Sequence, residues 1–294
     1  MVFIILVNYN GSADTAECIR SLQNVLSPAF RLIVVDNGST DNSPETLRAI
    51  REECPFDLLE AGENLGFSAG NNLGIRYALS EGADFVLLLN NDTLVTEDFL
   101  AGLLSPFKDH PRCGASTCRI RYADHPGILW YAGGSVSART GRTRHFGFGQ
   151  PDAESGGAVR PVSFASGCCL CLKREAIEKT GLLDEDYFLY EEDADYCLRL
   201  AEKGFEIDYV PDAVIAHKVS AAVRKLSSSA APYLIRSKYL LIQKRLPPLR
   251  RPFAYLFCTA QHIVRCVKGE YTFHDLRRGI ASFLAGEKGK TAFL

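Results

Sequence analysis

Strand-like apolar runs alternate with helix-like patterns through the first third of the chain. The apolar runs are nearly continuous, which is typical of strands that are buried on both faces of a sheet. This alternating order favours a parallel sheet with helices on either side. The predicted elements are strands at Val2–Val7, Phe30–Asp36, Phe56–Glu60 and Asp84–Leu89 and helices at Asp14–Leu26, Ser43–Glu53 and Ser68–Ser80. The sequence therefore predicts an α/β fold with a mostly parallel central sheet.

Polar side chains follow three of these predicted strands at the point where each strand ends. Asn8 and Asn10 follow the first strand, Asp36 ends the second, and Asn91 and Asp92 follow the fourth. In an open α/β sheet the carboxyl ends of the strands meet at one edge, where ligands bind. The Asp36 carboxylate could accept a hydrogen bond from a base or a ribose, although aspartate is also common in such turns for local structural reasons.

The segment Asn64–Asn72 leads into the predicted third helix. Backbone N–H groups at the start of a helix suit an anionic group such as a phosphate. The segment lacks the lysine and the spacing of a Walker loop. It therefore indicates an anion site of another kind.

Asp92 could hold a divalent metal ion. It follows a buried strand, and Asn90 and Asn91 precede it. A carboxylate among amide side chains suits Mg²⁺ or Mn²⁺ that takes its other ligands from a diphosphate and water. His217, at the end of a strand of its own, is the candidate second ligand, although a single histidine is more often structural.

Four carboxylates lie within five residues at the start of a predicted helix, Leu189–Lys203. They are Glu191, Glu192, Asp193 and Asp195. The N-terminus of a helix carries unpaired N–H groups and partial positive charge, which keep carboxylates ionised. An ionised carboxylate held in place can act as a general base.

The apolar stripe of this helix decides which carboxylate faces a cleft. The stripe consists of Ala194, Cys197, Leu198 and Ala201. Helical spacing places Asp193 and Asp195 at its edges and Glu192 away from it, so Asp193 is the best candidate for the base. The alternative is an acidic first turn on a solvated surface, with Asp195 and Arg199 as an ordinary i,i+4 ion pair.

Composition excludes several other classes of protein. The formal net charge of −2 gives the chain no overall field for nucleic acid. Met1 leads directly into an apolar strand without a basic segment or a cleavage site, and no apolar run reaches the roughly 18–20 residues that span a bilayer. Ten cysteines without a secretory segment favour reduced thiols in a cytoplasmic protein. The C-x-x-C pair Cys168 and Cys171 fits a buried strand better than a redox or metal site.

The composition and residue pattern of the second half of the chain change twice. Glycines and short strand-like pieces dominate from about Cys113 to Arg160, and the segment ends in a loop that could be a lid or a plain surface excursion. Specificity for the substrate is expected around Tyr122–Gly157. Further strands are predicted at Pro161–Lys173, Phe205–Val210 and Ala213–His217. From residue 227 the pattern becomes helical and basic, with interleaved aromatic residues. Such a region could contact the inner face of the cell membrane or form a helical cap on the first domain. We therefore expect domains at 1–226 and 227–294.

Six separate motifs in this order resemble family 2 glycosyltransferases of the GT-A fold, in particular the rhamnosyltransferase-like members. The matching segments are Val7–Gly11, Val34–Asp41, Asn64–Ile75, Leu87–Thr93, Ser166–Leu200 and Val210–Ser220. The resemblance covers roughly residues 1–245 and is specific because all six motifs keep their order.

The resemblance implies a role for each candidate residue. Asp36 would bind the pyrimidine or ribose of a nucleoside-diphosphate sugar, Asp92 and His217 would hold Mg²⁺ or Mn²⁺ on the diphosphate, and Asp193 would deprotonate the acceptor. Asn90 stands where the family's DXD motif has its first aspartate. Further implied donor-binding residues are Asn8, Asn10, Asn64, Gly66, Asn71 and Asn91, and the implied supporting residues are Glu192, Asp195 and Arg199.

The implied reaction is transfer of a sugar, rhamnose among the candidates, from a dTDP or UDP donor with inversion at the anomeric carbon. The acceptor would be a glycan or a lipid-linked saccharide of the cell surface. The alternative is a non-catalytic subunit that binds sugar nucleotide or glycan on the same fold. Such a subunit is expected to lose the acidic base or Asp92, and this chain keeps both.

Overall fold

The computed structural model describes residues 1–153, 157–219, 230–291 and 293. The strands of the described part are β1 Val2–Asn8, β2 Phe30–Asp36, β3 Asp57–Glu60, β4 Phe85–Leu89, β5 Thr93–Leu94, β6 Cys113–Tyr122, β7 Leu129–Tyr131, β8 Gly134–Val136, β9 Thr143–His145, β10 Arg160–Val162, β11 Cys169–Lys173 and β12 Glu206–His217. The helices are α1 Ser12–Ser21, α2 Ser43–Glu53, α3 Gly66–Ser80, α4 Leu100–Leu104, α5 Pro106–Asp109, α6 Arg174–Thr180, α7 Glu192–Glu202, α8 Ala230–Arg245, α9 Arg251–Val267 and α10 Phe273–Leu284.

A ten-stranded mixed sheet forms the centre of the described residues. Its strands lie in the order β10-β12-β6-β11-β4-β1-β2-β3, with β5 beside β12 and β7 beside β6. The first four strands are mutually parallel, as are β6 and β12, while β11 runs antiparallel between β6 and β4. β8 and β9 form a separate two-stranded sheet. This architecture confirms the predicted α/β class with its largely parallel centre.

The apolar runs form the strands because both of their faces are covered. β1 lies between β2 and β4, and its first five residues are at most 3% exposed. Helix α3 packs against β1 so closely that a Cβ added at Gly74 would lie 2.7 Å from the Ile5 side chain. The cysteines of β11 are buried core residues, as predicted, and all ten cysteines of the chain are free thiols.

Four elements predicted in the second half of the chain differ from the structure. The two strands predicted at Phe205–Val210 and Ala213–His217 are one strand, β12, with a bulge between Val210 and Val214. The strand predicted at Pro161–Lys173 divides into β10 and β11. Helix α7 begins at Glu192 rather than Leu189, because Tyr190 and Glu191 adopt left-handed backbone angles (φ 70° and 69°) that a right-handed helix excludes.

The three C-terminal helices pack on the α/β sheet domain and on each other. Buried residues of α8, α9 and α10 share a second apolar cluster, and α8 also lies against α7. The predicted boundary between residues 226 and 227 lies outside the described residues. No helix in the described ranges is both long and apolar enough to cross a membrane.

Candidate functional site

A cleft of about 590 Å³ opens at the carboxyl edge of the parallel strands. The loops after β1 and β4 form its floor, and the start of α3 and the first residue of α8 form its walls. Its lining residues are Val7, Tyr9, Asn10, Gly11, Asp14, Asn37, Asn64, Gly66, Phe67, Asn71, Leu89, Asn90, Asn91, Asp92, Phe188, Leu189 and Ala230. The edge predicted from the polar residues that end the strands therefore contains a cavity.

Asn8 and Asp36 lie beneath this lining and are almost fully buried. The Asn8 amide donates to one Asp36 carboxylate oxygen (3.0 Å), and the other accepts from the Ser39 backbone N–H (3.1 Å). Asn8 also accepts from the Thr15 hydroxyl (2.8 Å). The two residues therefore fix the loops after β1 and β2, whose neighbours Tyr9 and Asn37 reach the cleft.

The other candidate donor-binding residues all line the cleft, and most of their side chains shape its loops. Asn10 accepts from the Thr40 backbone N–H (2.8 Å), Asn64 from Gly66 (2.9 Å), and the Asn91 amide donates to the Thr15 hydroxyl (2.8 Å). Asn71, within α3, donates to the Phe67 carbonyl (2.9 Å). These bonds hold the cleft in shape before any ligand arrives.

Gly66 allows two loops to meet at the start of α3. Its φ is +80°, and an added Cβ would lie 2.3 Å from the Phe188 carbonyl oxygen. The next residue, Phe67, donates its N–H to that same oxygen (2.8 Å). Only glycine fits here, so the helix N-terminus and the Phe188 segment face the cleft together.

Asp92 and His217 are brought together by the pairing of β5 with β12. His217 is the register partner of Thr93, the residue that follows Asp92. One Asp92 carboxylate oxygen lies 3.0 Å from His217 Nε2, and the Trp130 ring packs edge to face on the imidazole with centroids 4.6 Å apart. Two candidate ligands predicted from distant segments therefore form one contact.

The donor set at this contact suits a divalent ion that is only partly held by protein. A carboxylate oxygen suits Mg²⁺ and Mn²⁺, and an imidazole nitrogen is a common ligand of transition-metal ions. No group of three or more histidine, cysteine or acidic side chains arranged to hold a metal occurs in the described part of the chain. Nδ1 of His217 is buried without a hydrogen-bond partner in the described structure. Asp92 and His217 thus fit an ion that takes its remaining ligands from a substrate.

Asp193 occupies the first turn of α7. Its two carboxylate oxygens accept from the backbone N–H groups of Gly167 (3.0 Å) and Ala194 (2.7 Å). Burial raises the pKa of Asp193 to about 6, with the Gly167 hydrogen bond opposing the rise and the Glu191 charge adding to it. Its position at a helix N-terminus predicts a lowered pKa for Asp193. This prediction is wrong, because the desolvation of the carboxylate outweighs the effect of the helix N-terminus.

A short segment connects Asp193 to the metal-binding candidates. Gly167 donates to the Asp193 carboxylate, and the next residue, Cys168, accepts from the Asn90 backbone N–H (2.9 Å). An added Cβ at Gly167 would lie 3.0 Å from the ring of Phe67, which lines the cleft. Asp193 itself stands just behind the lining, on the Phe67 side.

Glu192 does not point outward as the helical phase predicts. It is 5% exposed, one carboxylate oxygen is buried without a partner, and burial together with the Asp193 charge raises its pKa well above the usual range. The predicted stripe is also displaced, since Ala201 is exposed while Tyr196 and Leu200 are buried. The reason is that α8 covers the side of α7 that would otherwise face water.

Asp195 is fully buried and forms a network of ion pairs. Arg199 binds it through Nε (2.8 Å), as the i,i+4 spacing predicts, and Arg245 of α8 binds it from the other side (2.6 Å). The Tyr187 hydroxyl donates to the same carboxylate (3.2 Å). Asp195 therefore joins α7 to the C-terminal helices and is turned away from the cleft.

Three residues of this site have no signal in the sequence pattern. Lys238 of α8 binds Glu191 (2.5 Å) at the residue before α7, and Arg245 binds Asp195. Trp130 packs on His217. Lys238 and Arg245 lie in a basic region that the sequence assigns to a membrane or to solvent, so only the packing of α8 identifies their partners. Part of the predicted loop before Gly157, residues 154–156, lies outside the described residues, as does Ser220.

Residues 3–181 match the sequence profile of Glycosyl transferase family 2, and the chain belongs to that family. A low-salt glycan biosynthesis hexosyltransferase from Haloferax volcanii is 27% identical over 242 residues, which cover 81% of this chain and 74% of that protein. An N-acetylglucosaminyl-diphospho-decaprenol L-rhamnosyltransferase from Mycobacterium tuberculosis is 28% identical over 265 residues, 82% of this chain and 84% of that protein. The rhamnosyltransferase-like branch suggested by the motifs is thereby supported.

A solved structure has the same fold. The mannosyltransferase from Pyrobaculum calidifontis in complex with GDP-Man and Mn²⁺ superposes with a TM-score of 0.61 at 18% identity, over 99% of this chain and 76% of that one. At this identity the likeness concerns the fold alone. This chain is therefore a family 2 glycosyltransferase with a GT-A fold and with hexosyl- and rhamnosyltransferase relatives.

Proposed function

We propose that the protein is an inverting, metal-dependent glycosyltransferase that moves a sugar from a UDP or dTDP donor to a glycan or lipid-linked acceptor. The observation that carries this proposal is the bridge formed by Gly167 and Cys168. One of these residues holds the Asp193 carboxylate and the other holds the loop that bears Asp92. This bridge ties Asp193, which stands just behind the cleft lining, to the loop of Asp92, and it supports the assignment of a base and a diphosphate site to one cleft.

The chemistry divides between the two ends of this bridge. At one end, the Asp193 carboxylate takes the proton from an acceptor hydroxyl as that hydroxyl attacks the anomeric carbon, which is the role of a general base. At the other end, Asp92 and His217 would hold Mg²⁺ or Mn²⁺, which when bound neutralises charge on the departing diphosphate. The first N–H groups of α3 are taken by Asn64 and Phe188, so α3 contributes to the same anion only the positive end of its helix dipole. Attack and departure on opposite sides of one carbon invert its configuration.

The donor follows from the family relatives and from the shape of the cleft. The two relatives named above are a hexosyltransferase and a rhamnosyltransferase, which supports a hexose or rhamnose as the transferred sugar. The buried Asp36 fixes the loop that carries Asn37 into the cleft. We assign the nucleotide to this loop and the diphosphate to the loop of Asp92. The acceptor, as in the mycobacterial relative's name, is assigned to the class of diphospholipid-linked saccharides.

We also place the enzyme in the cytoplasm, against the inner face of the membrane, where a lipid-linked acceptor is found. The C-terminal helices supply the membrane contact. The packing of α8 on α7 agrees with a cap as well, so one region serves both purposes.

The test is a transfer assay with a panel of UDP-, dTDP- and GDP-sugars, followed by calorimetry of donor binding. Asp193→Asn is expected to lower turnover by a factor on the order of 10²–10⁴, the usual contribution of a general base, while donor affinity stays close to that of the wild type. The matched control, Asp212→Asn, removes an exposed carboxylate at the bulge of β12 and should keep full turnover. Wild-type turnover in Asp193→Asn, or undiminished turnover in excess EDTA, contradicts the assignments.

The alternative, a non-catalytic subunit that binds sugar nucleotide, makes a different prediction in the same assay. It requires donor binding without transfer to any acceptor by the wild-type protein. The chain retains both Asp193 and Asp92, one of which such a subunit is expected to lose, and this favours the enzyme.

A further inference from the structure

Helix α9 exposes large apolar side chains and buries small or polar ones. The residues that face the other C-terminal helices are Ala254, Cys258, His262 and Cys266. The large apolar residues exposed on α9, with their exposed fractions, are Phe253 (55%), Leu256 (71%), Ile263 (43%), Val264 (53%) and Val267 (75%). A surface helix of a globular protein normally has the opposite arrangement.

The exposed residues form one continuous stripe. With the exposed Ala260 included, Phe253, Leu256, Ala260, Ile263 and Val267 are spaced alternately three and four residues apart, which keeps side chains on one side of a helix. Val264 lies beside Ile263 on the same side. At 1.5 Å per residue the stripe runs about 20 Å along the axis. Leu249, which precedes the helix, extends it and is 97% exposed. We call this set, Leu249 to Val267, the outer apolar face.

The charges around the outer apolar face have one sign. Between Leu246 and Leu284 the sequence has six basic residues against two acidic ones, although the whole chain carries −2. Both acids are engaged, since Glu270 pairs with Arg265 (2.6 Å) and the buried Asp275 caps α10. Arg250 and Lys268 stand exposed at the two ends of the stripe. The face is thus apolar along its length with basic ends.

We propose that the outer apolar face docks on an anionic lipid surface. Apolar side chains enter the boundary of the acyl chains, and the basic ends contact phosphate groups of the lipid. This inference rests on the membrane contact proposed above and gives it a location, but it does not depend on the transfer chemistry.

Charge complementarity favours lipid over a second copy of the chain. A symmetric contact between two copies of α9 brings the same patch together in both. With the two helices antiparallel, Arg250 of each copy faces Lys268 of the other, and between Leu246 and Leu284 neither copy has an unpaired acid to receive them. An anionic bilayer supplies the missing opposite charge without this repulsion.

The docking surface differs from the one that the sequence alone indicates. Most of the basic and aromatic residues of α8 are turned inward: Arg236 is 1% exposed, Lys238 pairs with Glu191, and Tyr233 is fully buried. Helix α8 therefore belongs to the catalytic domain, and α9 carries the membrane contact.

The experiment compares sedimentation of the full chain with phosphatidylcholine vesicles that contain or lack phosphatidylglycerol. The test variant is Leu256→Ser/Val267→Ser, and the matched control is Leu26→Ser, which changes an equally exposed leucine (82%) far along the chain in the loop before β2. The wild type and the control should bind the anionic vesicles, and less so at high salt. The double variant should lose about tenfold in partition coefficient or more, since each deleted side chain forfeits most of its transfer free energy.

Each other outcome overturns the proposal. Equal sedimentation of the double variant and the wild type excludes the outer apolar face as the contact, as does a wild type that fails to bind anionic vesicles. A lipid-free dimer in analytical ultracentrifugation that disappears in the double variant assigns the face to a second copy instead. Transfer to a water-soluble acceptor is measured in parallel and should be unchanged in the double variant, so failure of docking and failure of the transfer chemistry are told apart.

Discussion

The pH dependence of turnover should follow the ionisation of Asp193. With a pKa of about 6 the carboxylate is mostly protonated at pH 5, so about one tenth of the molecules carry the ionised base there. Because a base works only when it is ionised, the rate should rise through pH 6 and reach its plateau above pH 7. An aspartate with an ordinary pKa would already be at its plateau at pH 5.

We call the fall in turnover below about pH 6 the acid limb of the pH profile. Two charges beside Asp193 allow a test of whether its ionisation causes this acid limb. The Glu191 carboxylate raises the pKa of Asp193, and the Lys238 ammonium lowers it. Glu191→Gln should therefore move the acid limb of kcat/KM to lower pH, and Lys238→Met should move it to higher pH. The double variant removes both charges and should return the limb towards the wild-type position.

The assay is nucleoside diphosphate release across a range from about two units below to about two units above the expected midpoint, roughly pH 4–8. Circular dichroism verifies that each variant stays folded. Lys238→Arg keeps the charge and serves as the control, with a limb close to that of the wild type. An acid limb near pH 4 in the wild type, or the same limb in both single variants, would refute the assignment of the limb to Asp193.

Two further predictions concern the metal contact and the cleft. Bound Mn²⁺, which is paramagnetic, should quench the fluorescence of Trp130, the single tryptophan of the chain, whereas Mg²⁺ should not; Asp92→Asn should abolish the quenching, and equal quenching in that variant would place the ion elsewhere. Gly66→Ala should lower stability more than Gly62→Ala, because both residues have positive φ, costing about 1–2 kcal/mol each, but only at Gly66 would the new Cβ collide with the Phe188 backbone. Urea denaturation measures the difference, and equal losses would show that the loop relaxes.

The first half of the fold could be predicted because its local signals agree with one another. β2 and α2 have the predicted bounds, and β1 and β4 differ from them by a residue. Their apolar runs are buried on both faces, so the pattern has only one satisfactory arrangement. The antiparallel position of β11 was beyond such reasoning, because a buried strand has the same composition in either direction.

The candidate site was predictable in its position but not in its electrostatics. The carboxyl ends of β1, β2 and β4 locate the cleft, and Asp92 lies beside His217 as the motifs suggest. The sequence places Glu192 outside and predicts a low pKa for Asp193, and burial of both residues contradicts both predictions. Helix α8 covers α7, and the sequence between them gives no local sign of that contact. Burial then governs both carboxyl groups.

The C-terminal helices show the same limit of prediction from sequence. Basic and aromatic residues are abundant throughout the C-terminal sequence, yet those of α8 serve the packing against α7. Composition cannot separate inward from outward side chains when both faces of α9 carry apolar residues. Only the packing of α9 against its neighbours distinguishes them.

The central claim is that Asp193 activates an acceptor for direct displacement at the anomeric carbon. Proton NMR of the reaction with a donor of known anomeric configuration tests this claim most directly. The wild type should yield the inverted anomer, and Asp193→Asn should form it more slowly by a factor on the order of 10²–10⁴ while it still binds the donor. A product with retained configuration, or the inverted product formed at the wild-type rate by Asp193→Asn, would contradict the account.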